Sequence, residues 1–347
     1  MKVLYLFSGS RLGLLDKIKK GENHGHGFWG MIQLPHFGVD ADYVEVEQYF
    51  PFPLSKLIRK FFSAYNTHIF LFWKFFSYDI IFTSAAFGSQ FLHALLRIKK
   101  PLWVMHDFSI VSLLGEGKTI KQKLFKYAVN KCAGVVTLSM NEKHIIEKRF
   151  KHLRGKVEFI PFGADLNFFK PYKLKEKQQI LAVGFDPDRD WKTLIKACKN
   201  INTHVVLATR ESRVKPYLPL PHNFEICQFS ARDLVSEYDK SAIIVIPLNT
   251  SNGVNDAMGC SALFEAMAMG KAIIATRTRA MESYITHGKN GLLVDEGDSQ
   301  KMTEAINLLL NNSELRASIG KNAREYALEN LDIEKCTAKL AEFFKKL

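Results

Sequence analysis

In the stretch GCSALFEAMAMGK, residues 259–271, a single carboxylate, Glu265, stands among Ala262, Leu263, Phe264, Ala266, Met267, Ala268 and Met269. Gly259, Cys260 and Ser261 precede an apolar helical run that Gly270 terminates. The N–H groups at a helix start lack intrahelical acceptors and favour an anion. A carboxylate with apolar neighbours on every side is costly to bury unless hydrogen bonds compensate. The hydroxyls of a bound sugar or ribose would do so, and an ion pair with a nearby Arg or Lys is the alternative. Elsewhere, WVMHDF places His106 and Asp107 at the carboxyl end of a strand. The loop GENHGHGFWG carries Gly21, Gly25, Gly27 and Gly30 around His24 and His26, and glycine permits close backbone approach to a ligand. Two histidines one residue apart could suggest a metal, but no Cys lies close by, and no metal is expected.

These residues need strands and helices to position them. Short β-branched or aromatic runs alternate with helical patterns along the chain. Strands are expected at 2–7, 43–47, 79–84, 102–106, 134–139 and 156–160, with helices at 54–65, 88–98, 119–131 and 141–150. The Pro-, Gly- and Lys-containing segment 161–179 reads as a boundary. Beyond it, strands at 180–185, 204–209, 223–227, 242–247 and 272–276 alternate with helices at 190–199, 231–239 and 260–269, and helical tracts at 299–330 and 332–347 close the chain. The alternation predicts an α/β fold of two Rossmann-like, doubly wound parallel-sheet domains facing an interdomain cleft. The expected division is 1–165, 166–330, and a C-terminal helix 331–347 packing back on the first domain. In such sheets ligands bind at the carboxyl ends of strands.

Composition excludes several classes. Of 347 residues 47% are hydrophobic and 24% charged, a globular balance. Five scattered cysteines without a CxxC pair support neither a disulfide framework nor a zinc site, and a reducing cytoplasm is the expected compartment. The opening KVLYLF reads as a strand, not an export signal, and IFLFWKFF at 69–76 is too short to span a bilayer. Residues 1–170 hold 24 Lys and Arg against 13 Asp and Glu, net +11; the rest of the chain's 48 and 35 leaves 24 against 22, net +2. The first half is therefore matched to an anionic membrane surface, a nucleic acid or an acidic substrate.

Four segments in order resemble one family. LFEAMAMGKAIIATRTRAMESYITHGKNGLLV (263–294), VTLSMNEK (136–143), FIPFGADLNFF (159–169) and AVGFDPDRDWKTLIKA (182–197) are similar to the signatures of retaining GT-B glycosyltransferases, specifically glycosyltransferase family 4. The resemblance implies a nucleotide-diphosphate sugar, UDP- or GDP-linked, as co-substrate, with no cofactor. It implies that Glu265 hydrogen-bonds the ribose and that the N–H groups of Gly259, Cys260, Ser261 and Ala262 face sugar and phosphate. It places Phe229 where the nucleotide base packs, and His106 beside the donor sugar. The loop at Gly25, His26 and Gly27 would approach donor phosphate and acceptor.

The pattern is broken at two places. The family carries a second Glu eight residues before Glu265, where this chain has Ala257; Asp256 is next door and is the expected substitute. The family's Arg after the strand-ending glycine is replaced by Phe185, so Arg189, Lys192 and Arg210 are the candidates for the donor diphosphate, the first two preferred. The motifs DAD (40–42) and DPD (186–188) are too short to indicate a metal.

The segment LSKLIRKFF (54–62) sets Leu54, Leu57, Ile58, Phe61 and Phe62 on one helical face and Lys56, Arg59 and Lys60 on the other. Such a helix suits an anionic bilayer interface, and equally a helix packed on the sheet. With the charge asymmetry, the reading is a transferase held peripherally on the cytoplasmic membrane face, acting on a glycan or lipid-linked acceptor. A sugar-nucleotide epimerase and a non-catalytic, degenerate binding protein are the competing readings. No nucleic-acid motif is present.

Overall fold

Runs such as VLYL (3–6), IIFT (80–83) and SAIIVI (241–246) are buried along their whole length, the pattern of parallel strands covered on both faces. The computed structural model describes all residues except 64, 65, 85, 109, 173 and 252–256. Six strands form a first parallel sheet: β1 Lys2–Leu6, β2 Asp40–Tyr43, β3 Ile80–Thr83, β4 Leu102–Asp107, β5 Gly134–Thr137 and β6 Val157–Phe159, in the order β2-β1-β3-β4-β5-β6. Six more form a second: β7 Lys177–Val183, β8 His204–Ala208, β9 Phe224–Cys227, β10 Ser241–Ile246, β11 Ala272–Thr276 and β12 Leu292–Val294, in the order β12-β11-β10-β7-β8-β9. Both are doubly wound α/β layers with helices returning the chain between strands.

The chain divides into two compact units. One comprises Met1–Asp16, Gly27–Phe162 and Glu334–Leu347; the other comprises Lys17–His26 and Gly163–Ile333. The expected cut after residue 165 thus falls at 162/163, and a ten-residue piece of the N-terminal sequence groups with the second unit. In the first unit, Leu4, Leu71, Phe75, Ile81, Trp103 and Phe125 share one core. In the second, Ile180, Trp191, Leu194, Leu207, Ile243 and Ile306 share another.

Strand positions follow the sequence within a few residues, with one displacement and one strand, β12, that the sequence reading did not include. The alternation YVEVE (43–47) suggests a strand, but β2 lies earlier, pairing Lys2 with Asp40 and Tyr5 with Tyr43. The reason is Glu45, whose side chain accepts from the backbone N–H of Arg11 and whose own N–H donates to Gln48 Oε1 at 2.9 Å. That capping box turns the chain into the 3₁₀ helix Val46–Gln48. The DAD motif is therefore the edge strand β2 itself.

Candidate functional site

In the second unit, Gly259 opens the helix Cys260–Ala268 at φ 85°, and a Cβ there would meet Met281, Ile246 and Leu248. Only glycine fits this corner. The first helical turn then presents Cys260, Ser261 and Ala262, with Ser261 exposed and the other two buried. Glu265 lies on the inner side, 6% exposed. Its partners are neither Arg nor Lys. The fully buried Tyr238 hydroxyl donates to Oε2 at 2.8 Å, and His26 Nε2 lies 3.3 Å from Oε1. Burial pushes the Glu265 carboxyl upward, opposed by His24, Tyr238 and Arg189. Two of its roughly four lone-pair sites are engaged, leaving capacity for two further hydroxyl donors. Tyr238 carries no local sequence signal. It sits 27 residues away on the helix Ala231–Lys240 and meets Glu265 only through the fold.

The charge of Arg189 acts on this acid and opposes the upward push of burial. Its side chain is buried, donates to Asp186 Oδ2 from Nε at 3.3 Å and Nη2 at 3.1 Å, and leaves Nη1 without a partner among the described residues. The guanidinium lies over Gly184, in the space a Cβ would fill. Thus the residue following the glycine is Phe185, yet an arginine from five residues on occupies the end of β7. A bridge between Arg189 and Leu248 ties this segment to the end of β10. Lys192 is exposed in the first turn of the helix Trp191–Cys198. Arg210 is exposed after β8, its guanidinium 5.8 Å from the Phe185 ring centroid. Phe229 is half-buried after β9. Asp256 lies outside the described residues. Before that stretch, Glu296 anchors the chain: its Oε1 accepts from the backbone of Thr250 at 3.0 Å and Ser251 at 3.1 Å.

The segment Lys17–His26 completes this unit. Arg232 Nε donates to the Gly21 carbonyl at 2.6 Å, and its guanidinium lies 4.9 Å from the Phe168 ring centroid. His24 and His26 stack with centroids 3.7 Å apart and planes at 24°. Phe169 packs 5.2 Å from His24 and 5.6 Å from His26. Burial pushes His24 down to about 3 and His26 down to about 4, so both are neutral at pH 7. Gly25 is buried and Gly27 half-buried. Ligand atoms of His24, His26 and Glu265 lie within 4.8 Å of one another, an acid that sequence distance had hidden. By type the three could hold a metal, but rings stacked nearly parallel aim their in-plane lone pairs side by side instead of converging on one ion.

In the first unit, His106 is the penultimate residue of β4 and nearly fully buried. The rings of Phe108, Trp29 and Phe82 lie 4.7, 4.9 and 5.0 Å from it, centroid to centroid. Burial alone pushes it down to about 3, and Nδ1 has no hydrogen-bond partner among the described residues. Trp29 is held at φ 52°, a left-handed conformation that bulky residues avoid, with its carbonyl accepting from Tyr5 Oη at 3.2 Å. Asp107 Oδ1 accepts from Ile110 N at 2.6 Å, capping the short helix Ile110–Leu114.

The basic amphipathic element is the helix Phe52–Phe61. Its inward residues are Ser55 and Ile58, while Phe52 is 75% and Phe61 70% exposed, and Leu54, Leu57 and Phe62 are exposed as well. The apolar face therefore does not pack wholly on the sheet. Lys56 and Lys60 stand exposed beside it. Arg59 is a correction to the expected basic face: it pairs with Glu47, Nη2 to Oε2 at 2.7 Å, and lies 3.6 Å from Glu45. The following 3₁₀ turns, Thr67–Ser77, add the exposed Ile69, Trp73 and Phe76. Among the described residues no helix is long and apolar enough to cross a membrane.

Residues 164–326 match the model of the family described as glycosyl transferases group 1. An uncharacterized glycosyltransferase of Methanocaldococcus jannaschii is 26% identical over 282 residues, covering 78% of this chain and 76% of that protein. A GDP-mannose-dependent alpha-(1-6)-phosphatidylinositol monomannoside mannosyltransferase of Mycobacterium tuberculosis is 22% identical over 214 residues, 54% of this chain and 56% of its own. Among solved structures, Alr3699/HepE of Anabaena in complex with UDP-glucose aligns over 100% of both chains with TM-score 0.71 at 17% identity, a likeness of fold.

Proposed function

We propose, from the premise that this chain is a GT-B glycosyltransferase of group 1 using a nucleotide-sugar donor, that it transfers the sugar with retention to a lipid-linked or cell-envelope acceptor. The observation that carries the reading is Glu265: a buried carboxylate behind a helix start, held by Tyr238 and His26 with acceptor capacity to spare, and with Arg189 near in charge. In this reading Glu265 takes the ribose hydroxyls of a uridine or guanosine diphosphate sugar, and Phe229 flanks the base. The first-turn amides from Gly259 to Ala262 take sugar and phosphate. Arg189 stabilises the negative charge that grows on the leaving diphosphate, assisted by Lys192 and Arg210.

Retention follows if the acceptor hydroxyl attacks from the face the diphosphate leaves. The departing phosphate oxygen then takes the hydroxyl proton. His106, neutral at pH 7, positions sugar or acceptor and does not act as an acid. Asp256 would contact the transferred sugar in place of the missing glutamate. Cationic side chains and a helix terminus supply the electrostatics without a metal. The exposed aromatic and lysine surface of residues 49–76 supports peripheral attachment to an anionic membrane, on its cytoplasmic face.

Thermal unfolding against UDP, GDP and their glucose, mannose and N-acetylglucosamine conjugates tests the donor reading. Stabilisation by one nucleotide family is the expected outcome. No stabilisation by any of them at millimolar concentration would overturn it.

A further inference from the structure

One cavity of the first unit belongs to none of the groups assigned above. A space of about 240 Å³ opens between the exposed Ser63 and Lys121 and is lined by Asn66, Phe87, Leu113 and Phe125. Phe87, Leu113 and Phe125 also line a second void of about 20 Å³, room for one water, shared with Thr83, Ser84, Gln90, Met105 and His106.

The surroundings of its mouth fit one kind of occupant. Ile120 is 77% exposed, Leu124, Phe61 and Phe62 are exposed too, and Lys121, Lys123 and Lys126 line the same helix, Ile120–Val129. Phe87, Leu113 and Phe125 offer no hydrogen bonds, so the polar groups of a sugar or peptide would find only Lys121, Ser63 and Asn66 there. A hydrocarbon chain needs no hydrogen bonds, and Lys121 at the lining matches a lipid phosphate.

We propose that this cavity houses the hydrocarbon chain of the acceptor, a phosphate-bearing amphiphile whose chain lies against Phe87, Leu113 and Phe125 and whose phosphate sits at Lys121. The inference rests on the transferase reading for the role of the occupant, but the cavity's preference for an alkyl chain can be measured without any transfer.

The full chain is titrated with alkyl phosphates of increasing length, below their micellar concentrations, in competition with a fluorescent lysophosphatidic acid. Affinity is expected to rise with each added methylene and then plateau, and Leu113→Trp, which fills the cavity, is expected to weaken the probe about tenfold or more. Leu113→Ala, which enlarges it, is expected to keep binding. Far-UV circular dichroism and thermal unfolding midpoints serve as the check on folding of both variants. No saturable binding, no dependence on chain length, or equal binding by a folded Leu113→Trp protein would overturn the proposal. If that variant does not fold, the chain-length series on the unaltered protein decides alone. A protein that binds the probe but no nucleotide would sink the transferase reading and leave the cavity standing; the reverse result would sink only the cavity.

Discussion

Replacing Glu265 by Gln isolates the charge of one carboxylate from its shape. In the structure Oε2 accepts from the buried Tyr238 hydroxyl at 2.8 Å, and an amide oxygen can keep that bond. Folding stability should therefore stay within about 1 kcal/mol of the parent, aided by relief of the burial that raises the carboxyl's pKa. Donor binding should not stay. Hydrogen bonds to an ionised acceptor contribute roughly 1.5–3 kcal/mol against about 1 for neutral ones, so two ribose hydroxyls lose about 1–4 kcal/mol together. That is on the order of 5- to 900-fold in donor Kd. Glu265→Ala goes further, abolishing transfer and leaving the Tyr238 hydroxyl, 0% exposed, without its acceptor, at a stability cost of about 1–3 kcal/mol. Titration calorimetry with the stabilising nucleotide, turnover of its sugar conjugate, and urea unfolding of all three proteins measure these quantities. If the Gln variant binds donor and turns over like the parent, Glu265 does not touch the nucleotide. If binding and stability fall together in the Gln variant, the acid is a strut of the core.

Gly184→Ala should displace the Arg189 guanidinium and weaken diphosphate binding in the same direction as Arg189→Ala; calorimetry with UDP and uridine separates loss at the phosphates from loss at the base. His24, His26, His68 and His106 are pushed by burial to about 3, 4, 4 and 3, below their unfolded value of about 6.5. Groups depressed in this way contribute stability in full above the unfolded value and lose it as pH falls towards the folded values. Between about pH 6 and 4 each should therefore cost up to roughly 1.4 kcal/mol per pH unit, and urea midpoints should fall steeply, less so in His68→Gln. For membrane attachment, Lys56→Glu with Lys60→Glu should release the protein from anionic vesicles, each lysine contributing about 1 kcal/mol, whereas sedimentation that persists would make the helix an ordinary surface element. Arg59→Glu would confound that test, because it also breaks the pair with Glu47.

The sheet strands were legible because parallel strands buried on both faces read as continuous runs of Val, Ile, Leu and Phe. The exception, β2, shows the limit: YVEVE alternates as a strand should, but the contacts that end the strand come from Arg11 and Gln48, at and beyond the reach of local pattern. Glu265's burial was legible for the same reason as the strands, from its apolar neighbours. Its partners were not, since Tyr238 lies 27 residues away and His26 arrives from the other end of the sequence. Arg189 was named from the sequence, but not that its guanidinium fills the space left by the missing side chain at Gly184. The amphipathic pattern at 54–62 was read correctly as a pattern, while the exposure of Phe52, Leu57 and Phe61 depends on what the fold leaves uncovered.

Because Lys17–His26 groups with Gly163–Ile333, the polypeptide passes between its two units at four points along its length. A fragment beginning at Gly163 would carry the Cys260 helix and Tyr238 but would lose the imidazole beside Glu265 and the ring pair against Phe169. Scission at a single site therefore cannot release a faithful second unit. A hybrid enzyme assembled by joining halves of two relatives would need a ten-residue graft from the amino-terminal parent, matched to the carboxyl-terminal one.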